Sequence, residues 1–97
     1  MTFILIDDNP EKDALVLANR HWRLIADEVV RSQLIEGQRA ETIAIHVCTK
    51  VKALEATAIS EHLRQLLKRD GLPKSIDPNA AQLVVDFASS SDGFEVC

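Results

Sequence analysis

Apolar positions in this chain recur in two rhythms, one suited to a strand and one to helices. The opening Met1 to Ile6 holds the β-branched and aromatic run Thr-Phe-Ile-Leu-Ile, closed by Asp7-Asp8-Asn9-Pro10. Such a run, bounded by turn formers, predicts a short strand stopped by a helix start. Asp8 or Asn9 suits the capping position and Pro10 the first helical one. Glu11 and Asp13 would then face the positive end of the helix dipole. From Leu15 the rhythm changes: Leu15, Ala18, Trp22, Ile25 and Val29 fall at alternating spacings of three and four, the stripe of an amphipathic helix. No Gly or Pro interrupts the chain between Pro10 and Gly37, so one helix is expected to about Glu36, with Gly37 closing it. Leu17, Leu24, Val30 and Leu34 widen its apolar surface beyond what one neighbouring helix needs.

The stretch from Gln38 to Asp70 is again free of breakers. Ala40, Ile43, Val47, Val51, Leu54 and Ala58 form one stripe, and Ile59, Leu63, Leu66 and Leu67 continue it. This reads as one long helix or as two with a tight turn near Lys52 to Thr57, ended by Gly71. Asp77-Pro78 repeats the cap-then-proline start, and Ala80, Leu83, Val84, Phe87 and Ala88 trace a helical face, with a strand through Leu83 to Phe87 as the alternative. Phe94 to Cys97 is a short tail able to extend. The expected fold is therefore all-α: three to four helices in a helical hairpin or small bundle, with short extended N- and C-terminal segments, one domain over residues 1–97. A lone strand needs a mate. Met1 to Ile6 must pair with the Phe94–Cys97 tail, a second copy of the chain, or a partner's sheet edge.

Composition narrows function more than fold. With 46% hydrophobic and 27% charged residues the chain lies outside the disordered class. Its net charge of −4 argues against generic affinity for nucleic acid or anionic membranes. Charge is unevenly spread: residues 1–36 sum to −3, residues 37–74 to +3 and residues 75–97 to −4. No run approaches the ~20 apolar residues of a membrane span, and no signal peptide is recognised. Cys48 and Cys97 do not read as a disulfide framework, so a reducing, cytoplasmic setting is expected.

Two short resemblances bear on function. Ile4-Leu5-Ile6-Asp7-Asp8-Asn9-Pro10 is similar to the first strand of response-regulator receiver domains, which implies a Mg²⁺-binding acidic pair at Asp7 and Asp8. The reading preferred here is that these acids cap a helix. Ile59 to Leu72 resembles the recognition helix of winged-helix repressors, through Ile59, Ser60, His62, Leu63, Leu66, Gly71 and Leu72. That resemblance implies a dimeric helix-turn-helix-like DNA-binding regulator, with Ser60 toward the major groove and Arg64, Lys68, Arg69 and Lys74 toward phosphates.

No catalytic, cofactor or metal constellation is expected. His21, His46, His62, Cys48 and Cys97 lack ligand spacing, and Cys48 has no well-directed histidine. The first expectation is a non-catalytic regulatory or inhibitory protein that binds another protein through an amphipathic helical face and associates as a homodimer. Trp22 with its flanking Arg20 and Arg23 is the favoured surface, because these residue types concentrate binding energy. The alternative reading of Trp22 is that it is core.

Overall fold

The computed structural model describes residues 1–97 and is α+β, not all-α. The elements run β1 (Thr2–Asp7), β2 (Leu15–Ala18), α1 (Asn19–Arg31), α2 (Arg39–Thr42), β3 (Thr49–Lys52), α3 (Ala53–Lys68), α4 (Pro78–Ser89) and β4 (Gly93–Val96). All four strands join one antiparallel sheet in the order β2-β1-β4-β3, and no helix is long and apolar enough to cross a membrane.

The opening strand does pair with the C-terminal tail, Leu5 opposite Val96 and Asp7 opposite Phe94. It also pairs with a strand that the helical reading missed. Asn9 and Pro10 make a turn rather than a helix cap: the Asn9 side chain accepts from Glu11 N at 3.0 Å, and Lys12 N closes on the Asn9 carbonyl at 3.1 Å. The chain then doubles back, and Leu15 to Ala18 lies against Leu5 to Thr2. Strand pairing overrode helical periodicity here, since Leu17 points inward under either rhythm.

The remaining helical stripe holds from Asn19, burying Trp22, Ile25, Ala26 and Val29. Helix α1 ends five residues before the expected Glu36, at Arg31. Gln33 adopts φ 58°, Leu34 N donates to the Val29 carbonyl and Gln33 N to that of Val30, a Schellman closure made with glutamine where glycine is usual. Helix α3 also ends on a left-handed residue, Asp70 (φ 54°), with Gly71 N donating to the Leu66 carbonyl at 2.8 Å.

The expected helix over Gln38 to Asp70 is likewise replaced. Only Arg39–Thr42 and Ala53–Lys68 are helical, and Thr49–Lys52 forms an edge strand on β4. Arg39 grips Glu55 with both guanidinium nitrogens, one of them at 2.7 Å, and donates to the Lys50 carbonyl at 3.1 Å. That bond holds the Glu55 carboxyl below its ordinary value, against a smaller upward push from burial. Helix α4 starts as expected, with Asp77 accepting from Asn79 N and Pro78 in the first turn.

All the helices lie on one side of the sheet. Phe3, Leu5, Leu17, Val51, Phe94 and Val96 face them and are buried, and α3 packs closely along α4. Gly93 (φ 105°) begins β4 where a Cβ would sit 2.9 Å from an Asp8 carboxylate oxygen and 3.0 Å from the Val51 carbonyl, so only glycine fits there.

Candidate functional site

Alternation along each strand decides what the uncovered side of the sheet presents. On β1 the outward residues are Thr2, Ile4 and Ile6; on β2, Val16 and Ala18; on β3, Lys50 and Lys52; on β4, Glu95. Ile4 lies directly opposite Val16, and Ile6 opposite Glu95, which in turn lies opposite Lys50. One half of the face is therefore apolar and the other half charged. Ile4, Ile6 and Val16 remain 39%, 46% and 56% exposed, because the helices pack against the other face of the sheet. Lys50 turns away from Glu95 to pair with Asp8. Cys48 and Cys97 flank the Thr49–Val96 pair and are joined by a disulfide with Cα atoms 4.3 Å apart. The two cysteines, read as unbridged from the sequence, are brought together because β3 and β4 are neighbours.

The two edges of this sheet are protected unequally. Edge strand β3 carries Lys50 and Lys52, the disulfide beside it and the Arg39 contact to its backbone. Edge strand β2 reads Leu-Val-Leu-Ala and has neither charge nor proline. Charged residues and proline are what usually keep an edge from pairing with another chain.

A second polar feature lies on the helical side. Glu28 is buried at 6% exposure within the apolar stripe of α1. Its Oε2 is 2.7 Å from His62 Nε2 and accepts from Ser32 Oγ at 2.9 Å, while Arg31 pairs with Oε1. Ser32 Oγ also lies 3.1 Å from the same His62 nitrogen. A hydrolytic triad needs the hydroxyl and the carboxylate on opposite ring nitrogens; here both meet Nε2, so the cluster ties α1 to α3 and sets up no nucleophile. Burial pushes the Glu28 carboxyl up, but the bonds from His62, Ser32 and Arg31 together outweigh it and hold the group below its ordinary value. A shallow cleft of about 250 Å³ adjoins, lined by Leu24, Asp27, Glu28, Arg31, Pro73, Ser75 and Ile76.

No family model, curated protein or solved structure matches this chain. The site is accordingly judged on its own geometry.

That geometry scatters the residues expected to bind a partner. Trp22 is wholly buried and its Nε1 donates to the Ile43 carbonyl at 2.8 Å; it is core, as the alternative reading had it. Arg20 and Arg23 are exposed on α1, Arg23 with its guanidinium 5.8 Å from the Phe3 ring centre. Of the residues expected at DNA, Ser60 is buried and donates to the Val85 carbonyl of α4 at 3.3 Å, and His62 is held by Glu28. Arg64, Lys68, Arg69 and Lys74 are exposed, with Arg64 paired to Glu61 at 2.6 Å. The acidic pair diverges: Asp7 points inward and accepts from Asn9 N at 2.8 Å, while Asp8 faces out to Lys50. Sequence reasoning missed Val16 and the Cys48–Cys97 bridge. Leu-Val-Leu-Ala is apolar throughout and so carried no alternation to mark the first as a strand residue, and a longer helical rhythm ran through it.

Proposed function

We propose that the protein is a non-catalytic regulatory or inhibitory module that acts by protein–protein contact, through the open face of its sheet rather than through α1 around Trp22. The observation that carries this is the exposed Ile4–Val16 pair with Ile6 beside it, on the face turned away from the helices. A second copy of the chain is its first occupant. A two-fold axis across the strands lays the apolar β1–β2 half on the same half of its copy, so that Ile4, Ile6 and Val16 of the two protomers meet. The unguarded β2 edge adds a second route of contact between copies. Four strands spaced ~4.8 Å apart make a face of roughly 300 Å². That is well under the ~800 Å² each partner buries in a standard interface. The dimer is accordingly weak and dissociates on dilution, which leaves the face free for another protein. The expectation of a reducing, cytoplasmic setting rests on unbridged cysteines, and the Cys48–Cys97 disulfide removes that ground.

Light scattering across a concentration series tests the reading. Mass should rise toward a dimer in the wild type and stay monomeric in Ile4→Lys and Val16→Lys, both folded by circular dichroism. A concentration-independent monomer, or a dimer untouched by either change, would overturn it.

The alternative, a dimeric DNA-binding regulator, would have to use Arg64, Lys68, Arg69 and Lys74 without Ser60. No arrangement of these residues favours it over the open face.

A further inference from the structure

Beside the apolar half of the open face lies a group of side chains that the protein-binding reading does not use. Cys48 Sγ, Cys97 Sγ and a Glu95 carboxylate oxygen all lie within 4.8 Å of one another. Neighbouring strands put them there: Glu95 is on β4, Cys97 follows the end of that strand with its N–H donating to the Ile4 carbonyl at 2.9 Å, and Cys48 precedes β3, whose Thr49 is opposite Val96. Glu95 has no cation partner, because Lys50, directly across from it, is engaged by Asp8. Two sulfurs and an unclaimed carboxylate converging on one point are the donor set of a thiophilic divalent ion.

We propose that Cys48, Cys97 and Glu95 form a redox-gated metal site, closed as a disulfide when oxidised and able to hold one Zn²⁺-class ion when reduced. An external dithiol opens the bond, giving two electrons and two protons to the two sulfurs and leaving as its own cyclic disulfide. Metal binding then forms two metal–sulfur bonds and one metal–oxygen bond, and releases the two thiol protons to solvent. In a tetrahedral site with Zn–S bonds of ~2.3 Å the sulfurs stand ~3.8 Å apart. Rotation of the two side chains supplies that separation without moving strands whose Cα atoms are 4.3 Å apart. The fourth position is left to water, since His46, the nearest imidazole in sequence, stacks on Phe3 and contacts the Cys97 carbonyl oxygen through Nδ1 at 3.1 Å. The site sits at the charged end of the open face beside Lys50 and Lys52, and loading it leaves the local charge unchanged, because the ion's two positive charges replace the two thiol protons released.

Cobalt titration of the full chain, with and without prior reduction by a phosphine, is the test. The reduced protein should take up one Co²⁺ per chain and develop thiolate-to-cobalt charge-transfer absorption; the oxidised protein should do neither. Cys48→Ser should abolish that absorption. Glu95→Gln should weaken uptake by roughly tenfold or more, the scale of effects seen when groups that support a metal are removed. Should reduction loosen the fold, Co²⁺ should restore the circular dichroism of the oxidised state. Absence of charge-transfer absorption, equal uptake by the oxidised chain, or uptake unchanged in Glu95→Gln would each overturn the proposal.

Discussion

The two faces of this sheet are built from the same four strands and treat their apolar residues in opposite ways. Inward, Phe3, Leu5, Leu17, Val51, Phe94 and Val96 are 0–4% exposed under α1, α3 and α4. Outward, Ile4, Ile6 and Val16 are each more than a third exposed. Burial of a side chain of this size contributes ~1.5–3 kcal/mol, and the outer residues forgo most of it in the monomer. Isolated exposed leucines such as Leu54 on α3 carry no such meaning. Apolar residues placed opposite one another across two strands do, because together they form one surface rather than separate points. The inner face explains why the protein folds, and the outer face is where it has something left to bury.

Breaking the inner face should cost most. Trp22→Ala removes the largest buried side chain and strands the Ile43 carbonyl it satisfies; chemical denaturation should show a loss of ~3–5 kcal/mol. A cost under ~1 kcal/mol would mean that Trp22 is not core. The Glu28 cluster comes next. Glu28→Ala leaves His62 and Ser32 without their acceptor, and should cost ~1–3 kcal/mol at neutral pH. Because the folded protein holds the Glu28 carboxyl below its ordinary value near 4.5, its contribution is complete above that value and is lost as pH falls through the lower folded one. Glu55, held down first by Arg39, acts in the same direction. Wild-type stability should therefore fall in acid more steeply than that of Glu28→Ala, and parallel pH profiles would contradict this.

On the outer face the order reverses, with little effect on stability and a large one on association. Ile4→Lys and Val16→Lys should change unfolding free energy by about 0.5 kcal/mol or less while removing the concentration-dependent dimer. Smallest of all should be the triple change of Arg64, Lys68 and Arg69 to Ala. These cations near the end of α3 are exposed and lie off the proposed surface. Association should be unchanged, and a salt-dependent loss of duplex binding on this triple change would instead favour the DNA-binding reading.

How much of this was legible in the sequence depended on how local the cause was. Helix α4 could be read from Asp77, Pro78 and the Ala80–Val84–Ala88 face, since cap and stripe both lie within twelve residues. The pairing of the opening strand with the tail was one of three open possibilities, and only the fold selected it. Leu15–Ala18 and Thr49–Lys52 were read as helix because their strand character is imposed by β1 and β4, far away in sequence. The early end of α1 was hidden by a left-handed glutamine where glycine was expected. The candidate site shared that fate. Ile4 and Ile6 could be seen as a strand, but their outward direction and their partner Val16 became visible only with the hairpin.

A dilution series of methyl-resolved NMR spectra tests the central claim most directly, because it reads both faces in one sample. The Ile4, Ile6 and Val16 methyls should shift with protein concentration, while Ile25, Val29 and Ile59, buried on the helical side, should stay fixed. Spectra that do not change with concentration, or shifts centred on α1 or α3 instead, would contradict the assignment of the open face as the binding surface.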